Sequence, residues 1–411
     1  MTQLLGEIAI TTLKNASPTQ ALAAILATLG SLPATRVALG NAHGSTLAQD
    51  IVAQRDQPPF PASAMDGYAV QATDTPAVLT LIGQSAAGSG FSGTLGQGQC
   101  VRIFTGAPVP DGADSVVIQE DVQIDGKQIT IPVTPVGQHV RPRGIDFKAG
   151  VTLLKCGQIL DPIALALVGA TGLDQVNVAT KPKIVILTGG DEIVSPGTQP
   201  ARFQIYDSLT TALAALIRSW GGDAISFSPQ RDTIEALESA YRDALSQADL
   251  VVTIGGASVG DRDLIKSALA AFEPLFVVDK IAVRPGKPTW FATTQLAPVL
   301  GLPGNPASAL VCAHLFLRPI LKAFLGQPTA AAYLNAKLTR ALPANGPREH
   351  YLRARTFGDD YGQMWIDPCE DQDSSLLSVF QAATALVQCP AHAAPYALGD
   401  LVSFLDLARL G

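Results

Sequence analysis

The stretch between residues 183 and 325 constrains the fold most, because short and almost wholly apolar segments alternate there with helical ones. The pattern predicts strands buried on both faces at 183–187, 249–254 and 276–283. Helical patterns lie between and after these strands, at 207–220, 233–247, 264–272 and 307–325. Such an alternation is typical of a doubly wound, parallel sheet with helices on both faces. The sequence therefore predicts an α/β domain here.

Four loops rich in glycine, proline and charge follow the strands of this predicted domain. Ligands of open α/β sheets bind outside the carboxyl ends of the strands. Because all four loops start at such ends, we expect one crevice to collect them. They span residues 188–192, 255–263, 284–287 and 303–308.

Two of these loops suit an anion. Arg284-Pro-Gly-Lys-Pro288 carries two cations on a rigid turn, and Gly301-Leu-Pro-Gly-Asn-Pro-Ala-Ser308 opens into an apolar helix. The N-terminus of a helix presents unpaired N–H groups and a partial positive charge. Both loops together predict a site for a phosphate or another oxyanion.

The other two loops are acidic. Asp191 and Glu192 follow the first strand, and Asp261 and Asp263 lie in the loop 255–263. A carboxylate cluster at strand ends can hold Mg²⁺ beside a phosphate. Any one of these residues alone is more often solvated or a helix cap, but two acidic loops that converge with two basic ones favour a functional site.

The glycine-rich turn Gly255-Gly-Ala-Ser-Val-Gly260 allows backbone N–H groups to approach a ligand, and Ser258 offers a hydroxyl. Its spacing fits neither the dinucleotide fingerprint nor the Walker loop. By itself it is a weak signal, and an unspecific tight turn is the better interpretation without its neighbours.

The rest of the chain has different sequence patterns. Residues 56–140 hold short β-rich runs between turns, which predicts a small β module. Helical patterns flank it at 18–30 and 162–172, so the module is predicted to be an insertion into a helical segment. From about residue 331 the pattern is again that of strands.

Composition excludes several classes. The net charge of -7 gives no global electrostatic support for nucleic-acid binding. The five cysteines are scattered without a C-x-x-C pair, which argues against a disulfide framework or a cysteine zinc site. We see no signal segment and no apolar run of the ~18 residues that a membrane span needs. A cytoplasmic protein is expected.

Six motifs in fixed order resemble those of the molybdopterin molybdenumtransferases, a family that includes the C-terminal domain of gephyrin. No single motif is decisive, but the ordered set covers essentially the whole chain and is highly specific. The motifs are Ser63-Ala-Met-Asp-Gly-Tyr-Ala-Val70, Arg102-Ile-Phe-Thr-Gly-Ala-Pro-Val-Pro110, Gly144-Ile-Asp-Phe-Lys-Ala-Gly150, Gly255-Gly-Ala-Ser-Val-Gly-Asp-Arg-Asp263, Arg284-Pro-Gly-Lys-Pro288 and Gly301-Leu-Pro-Gly-Asn-Pro306.

The resemblance implies a homodimer of four-domain subunits. It implies a molybdopterin-binding α/β domain at 181–328, a β-barrel-like domain at 329–411, and an inserted β domain at 46–139 within a helical linker domain at 1–45 and 140–180. The implied reaction inserts molybdate into adenylated molybdopterin and releases AMP with the help of Mg²⁺. The implied partners are a molybdopterin adenylyltransferase and delivery factors for molybdoenzymes, without nucleic acid or membrane.

The resemblance also implies roles for individual residues. Glu192 and Asp263 are expected to bind the metal, while Asp66 and Thr105 are expected to approach from the other subunit. The implied catalytic positions are Asp66, Thr105, Asp146, Glu192, Asp232 and Asp263. The implied positions for binding the pterin, its phosphate or molybdate are Gly255, Gly256, Ser258, Lys280, Arg284, Lys287, Pro303, Asn305, Pro306, Arg353 and Ser375.

Three positions depart from the family pattern. Gly189 stands where a threonine is usual, Leu209 where an asparagine is usual, and Arg284 where lysine is frequent. The first two departures slightly favour an alternative, a pterin- or molybdate-binding or scaffold protein without turnover, while the intact Asp66, Glu192 and Asp263 count against it. A metal-dependent nucleotide hydrolase on the same α/β fold is a third hypothesis, against which the inserted module with Met65-Asp-Gly-Tyr68 speaks.

Overall fold

The structure is a computed structural model that describes residues 11–255 and 264–407. These residues form two compact units. The larger unit contains residues 11–35, 44–48, 177–255 and 264–407, and the smaller unit contains residues 36–43 and 49–176.

A seven-stranded sheet is the centre of the larger unit. Six of its strands run parallel, and the strand Trp290–Thr293 runs antiparallel to both of its neighbours. The prediction of a wholly parallel sheet was therefore wrong at this strand, whose apolar run carried no sign of its direction. The order across the sheet is Leu13–Ala16, Leu275–Ile281, Trp290–Thr293, Val299–Leu302, Leu250–Ile254, Lys183–Thr188 and Asp223–Ser226.

Helices cover both faces of this sheet, which confirms the doubly wound arrangement. Alternate side chains of one strand enter opposite cores, with Ile184 and Ile186 in one and Val185 and Leu187 in the other. The helices Pro18–Leu26, Leu209–Ser219 and Pro306–Phe324 pack on the first face. The helices Ile234–Leu245 and Leu264–Leu269 pack on the second face.

The helix Pro306–Phe324 contains a π segment, Ala313–Leu317. By length and composition it could cross a membrane, contrary to the expectation that no segment is long and apolar enough. However, 78% of its apolar stretch is buried inside the protein, as for the core helix of an α/β domain.

The C-terminal part of the larger unit is a closed five-stranded barrel, which confirms the predicted barrel-like domain. The short strand Val283–Arg284 adds to it by pairing with Glu349 and His350, and the helix Leu377–Ala382 lies near its end. The barrel strands, in order of pairing, are Glu349–Gly358, Met364–Pro368, Tyr333–Leu338, Leu401–Asp406 and Ala385–Cys389.

The smaller unit is built on the predicted β module. Its six-stranded sheet has apolar residues packed on both faces. Two short strand pairs, Ala62–Ser63 with Val140–Arg141 and Ile51–Val52 with Thr152–Leu154, and the helix Pro162–Ala170 complete the unit. The order of the sheet is Ser115–Ile118, Gly67–Val70, Gln99–Ile103, Ala77–Ser85, Gln128–Ile131 and Gln123–Asp125.

The helices that flank the β module in the sequence belong to different compact units. The helix Pro18–Leu26 packs in the core of the larger unit, and the helix Pro162–Ala170 belongs to the smaller one. The finer limits of the four domains stay a prediction. The remaining strands described are Ala34–Ala38, Gln175–Ala179, Ile193–Val194 and Ile205–Tyr206.

Candidate active site

A cavity of about 680 Å³ lies beyond the carboxyl end of the strand Lys183–Thr188, and we call it the carboxylate cavity. Three acidic residues from two loops meet at its wall, and the backbone N–H of Asp232 donates to Oδ1 of Asp191 at 3.3 Å. The predicted acidic positions Glu192 and Asp232 are thus brought together. The described lining is Asp191, Glu192, Ala201, Arg202, Phe203, Gln204, Asp232 and Leu264.

A second cavity of about 460 Å³ adjoins the first, and we call it the glycine cavity. Glu192 borders both cavities. Here the loops that follow three parallel strands meet, as the sequence predicted for strand ends. The described lining is Thr188, Gly189, Glu192, Ile193, Ile205, Tyr206, Asp207, Ser208, Leu209, Ile254, Gly255, Gly304, Asn305, Pro306 and Ser375.

Gly255 is the glycine of this site that the backbone requires. It has a φ of +87°, in the left-handed region that other residues rarely adopt. Gly255 also donates its N–H to the carbonyl of Leu302 at 3.2 Å. The neighbouring loop comes close, since a Cβ atom on Gly304 would lie 3.4 Å from the Cα atom of Gly255, an ordinary contact. The neighbouring Pro303 is buried.

The loop 371–376 closes one side of the glycine cavity. Of this loop, only Ser375 was predicted to belong to the site. Asn305 Nδ2 donates to Ser374 Oγ at 2.9 Å, and the N–H of Ala307 donates to the carbonyl of Ser374 at 2.9 Å. One N–H group of the predicted anion site at this helix N-terminus is therefore used within the protein. No motif pointed to Ser374, because its contacts arise only when the barrel packs on the α/β core.

Arg353 holds that loop in place. Its residue is 1% exposed, and its Nη1 donates to the carbonyl of Asp373 at 2.8 Å while its Nε donates to Gln372 Oε1 at 3.2 Å. Burial lowers the pKa of Arg353. The guanidinium thus positions the segment that carries Ser374 and Ser375, and its direct contact with an oxyanion stays a prediction.

Lys280, Arg284 and Lys287 of the basic loop do not belong to the described lining of either cavity. That this loop shares one crevice with the other three stays a prediction. The antiparallel strand Trp290–Thr293 lies between Leu275–Ile281 and Val299–Leu302. At a strand spacing of about 4.8 Å, it separates their ends by roughly 10 Å.

The basic loop contributes to a basic cluster, which we define as Arg284, Arg348, His350 and Arg353. The pairing of Arg284 with His350 across the short strand brings the cluster together. Burial and the charges of the three arginines lower the pKa of His350 to about 4. A cluster in which a histidine is held neutral by its cationic neighbours has an electrostatic field that suits an oxyanion.

In the smaller unit, the structure pairs two of the predicted residues. Asp66 accepts hydrogen bonds from the N–H and the hydroxyl of Thr105, at 2.7 and 2.9 Å, and these bonds lower the pKa of Asp66. Both residues are exposed, as is Asp146. Gly256, Ser258 and Asp263 lie outside the described residues.

The two departures from the family pattern have different surroundings. A Cβ atom on Gly189 would meet Leu237 at 3.4 Å and Ile265 at 3.5 Å, and it would lie 3.7 Å from Oδ1 of Asp232. A small side chain therefore fits at Gly189. Leu209 is 4% exposed and belongs to the core beneath the glycine cavity, so an amide there would have to find buried partners.

The fold and the two cavities define a multidomain α/β protein with a ligand crevice at the carboxyl ends of its parallel strands. Three family models cover most of the chain. The MoeA N-terminal region (domain I and II) matches residues 16–172, the probable molybdopterin binding domain matches 185–323, and the MoeA C-terminal region (domain IV) matches 335–407. The chain belongs to the molybdopterin molybdenumtransferase (MoeA) family of molybdenum cofactor biosynthesis, as its motifs predicted.

Individual relatives support the same family assignment. A molybdopterin molybdenumtransferase of Nostoc is 35% identical over 77% of this chain and 76% of its own length. That of Haemophilus influenzae is 33% identical over 89% of this chain and 92% of its own. A crystal structure of the molybdopterin biosynthesis MoeA protein from Pyrococcus horikoshii superposes with a TM-score of 0.84 at 31% identity, covering 96% of this chain and 100% of that one.

Proposed function

We propose that the protein inserts molybdate into adenylated molybdopterin and releases AMP. The observation that carries this proposal is the pair of adjoining cavities that share Glu192, within the region matched by the molybdopterin-binding model. Their size is that of cavities that hold nucleotide-sized ligands. One cavity offers carboxylates, and the other offers backbone groups of glycine loops together with Asn305 and Ser375.

We propose further that the reaction depends on Mg²⁺. The described residues contain no cluster of three or more His, Cys, Asp or Glu side chains at metal-binding distances. This fits a magnesium ion that takes one or two protein carboxylates and completes its shell with water and substrate phosphate. Glu192, with Asp191 and Asp232 nearby, would supply those carboxylates. Bound there, the ion would offset the phosphate charge and polarise the anhydride that is cleaved.

Other residues of the chain bind and orient the substrates. The basic cluster, with Lys287 on the same loop as Arg284, attracts molybdate by charge. Asn305, held by one N–H bond to Ser374, presents the oxygen and the second N–H of its amide to the substrate. Asp66, fixed by Thr105, is an ionised carboxylate that acts on the substrate as a hydrogen-bond acceptor.

Assembly and surroundings are part of the same proposal. We propose a cytoplasmic homodimer in which the inserted β domain of one subunit completes the site of the other, as the family resemblance implies. The substrate would come from a molybdopterin adenylyltransferase, and the product would pass to molybdoenzyme delivery factors. Light scattering after size-exclusion chromatography tests the dimer: a mass of one chain, about 42.7 kDa, would contradict it.

The test of the function is AMP release from adenylated molybdopterin by the purified protein with Mg²⁺, with and without molybdate. We expect release that depends on molybdate and that falls at least a hundredfold in Glu192→Gln or Asp232→Asn, because each removes a charge from the carboxylate cavity. The control is Glu370→Gln, since the Glu370 side chain is 91% exposed and lies outside the described lining of both cavities.

A second candidate is a pterin-binding protein without turnover. The observation in its favour is that Gly189 and Leu209 offer neither hydroxyl nor amide to the glycine cavity. Tight binding of adenylated molybdopterin without any AMP release, in the presence of Mg²⁺ and molybdate, would establish this role and refute the transferase.

A further inference from the structure

A short loop carries an aromatic ring into the carboxylate cavity. Residues 201–204 precede the strand Ile205–Tyr206, which pairs in parallel with Ile193–Val194 directly after Glu192. The N–H of Ile205 donates to the carbonyl of Glu192 at 2.8 Å. The loop is therefore joined to the acidic segment by backbone hydrogen bonds.

Gln204 fixes the loop more firmly. Its Nε2 donates to the carbonyl of Asp191 at 3.0 Å, and its Oε1 accepts from the N–H of Ala201 at 3.0 Å. One side chain thus ties the turn to itself and to the acidic loop. As a result, the backbone that carries Phe203 has a set position relative to the segment of Asp191 and Glu192.

Phe203 is 81% exposed, although it lies at the wall of a cavity. Arg202 stands beside it, with the guanidinium carbon 5.1 Å from the ring centroid. A solvent-exposed phenylalanine contributes no burial to the fold, while an aromatic face stabilises a stacked flat ring. The neighbouring guanidinium supports the ring from one side and can also stack.

The polar groups of the same cavity select the kind of ring. Asp191, Glu192 and Asp232 are hydrogen-bond acceptors when ionised, and acceptors recognise ring and exocyclic N–H groups. They repel an anion unless a metal ion lies between. A flat heteroaromatic ring with amino groups satisfies both the aromatic face and the carboxylates, and pterin and adenine each have this chemistry.

We propose that Phe203 is a stacking platform for the amino-substituted heteroaromatic ring of the substrate, and that it sets substrate affinity and not the chemical step. This inference rests on the proposed function, because adenylated molybdopterin supplies such rings at both of its ends. Whichever of the two rings enters the carboxylate cavity, Phe203 positions that ring by stacking.

Calorimetric titration of the purified protein in the presence of Mg²⁺ with AMP and, separately, with pterin-6-carboxylate tests the proposal and identifies the ring. Stacking of a base on an aromatic side chain is lost in Phe203→Ala, and we expect the Kd of one of the two ligands to rise about tenfold. Phe203→Trp restores a flat face and is expected to bind within about twofold of the unaltered protein. Phe357→Ala, which removes a 49% exposed phenylalanine of the barrel, is the matched control.

Turnover gives a second and independent readout. With adenylated molybdopterin, Phe203→Ala is expected to raise KM about tenfold and to leave kcat within about twofold, since the ring interaction is the same in the ground and transition states. Unchanged Kd and KM in Phe203→Ala, in a protein that does release AMP, overturn the platform and leave the proposed function intact. Failure of the unaltered protein to bind either ligand also overturns it.

Failure of the proposed function can also be distinguished from failure of the stacking platform. If the protein releases no AMP but binds one ring ligand in a manner that depends on residue 203, the proposed turnover is wrong and the platform stands. Equal weakening in Phe203→Ala and Phe203→Trp points to loss of loop structure and overturns stacking as the cause.

Discussion

Replacement of Arg353 by methionine tests how the glycine cavity is held together. The side chain is buried, and its shortest bond is from Nη1 to the carbonyl of Asp373 at 2.8 Å, with a longer one to Leu376 at 3.4 Å. Gln372 Oε1 would keep a partner in the variant, because it also accepts from the N–H of residue 353 at 3.0 Å. The main loss is thus one strong, charge-assisted bond and an orphaned carbonyl.

A charge-assisted bond contributes about 1.5–3 kcal/mol, and a buried orphaned acceptor costs about 1–3 kcal/mol. Methionine fills much of the space of the arginine stem. We therefore expect Arg353→Met to lower the free energy of unfolding of the larger unit by about 3 kcal/mol. For a unit of this size, the melting temperature falls by about 2 °C for each kcal/mol of lost stability, so we expect a fall of about 6 °C.

Differential scanning calorimetry is the assay, because it separates the transitions of two units that need not unfold together. Arg355→Met is the matched control two residues along the same strand. The Arg355 side chain is 62% exposed and approaches Asp367 only to 4.0 Å, so a change within about 0.5 kcal/mol is expected. The reasoning would be refuted if the melting temperature of Arg353→Met lay within 1 °C of that of the control, because this corresponds to a difference of only about 0.5 kcal/mol in the free energy of unfolding.

Three other outcomes follow from the structure. Gly189→Ser is expected to fold with a melting temperature within about 2 °C of the unaltered protein, because its Cβ has ordinary contacts and its hydroxyl lies near Asp232; a soluble yield below half would contradict this. Gly301→Ala is expected to leave little soluble protein, since its Cβ would overlap the indole of Trp290, and a normal melting curve would refute that packing. His350 has a pKa of about 4 in the folded protein against an ordinary 6.5, so the unfolded chain takes up this proton first as the pH falls. Relative to His350→Gln, the unaltered protein should therefore lose stability between pH 6.5 and 4, by at most about 3 kcal/mol, and parallel pH profiles of unfolding would contradict it.

Local pattern was sufficient for much of the fold. Apolar runs such as 249–254 could be assigned to buried strands because hydrophobic periodicity reports which faces are covered. Caps also lie where the residues indicate them: Thr233 accepts from the N–H of Ala236, and Asp207 accepts from the N–H groups of Leu209 and Thr210. Glu192 was placed at a strand end by the same pattern, and it lines the carboxylate cavity there.

The errors have one physical origin. Periodicity carries no information about which strands are neighbours, because pairing is decided by contacts far apart in sequence. The antiparallel strand Trp290–Thr293 was missed for this reason. The hydrogen bonds by which Arg353 holds the loop that carries Ser375 were missed for the same reason.

By itself, the sequence determined the element types, the acidic and basic character of each loop and the family, because these depend on residue identity and local spacing. Only the tertiary structure decided that Asp191, Glu192 and Asp232 line one cavity, that the arginines gather around His350, and that Phe203 stands exposed at a cavity wall. These are juxtapositions of residues up to 69 positions apart, as for Arg284 and Arg353, and they are set by strand order and helix packing. No periodic pattern in the chain encodes that order.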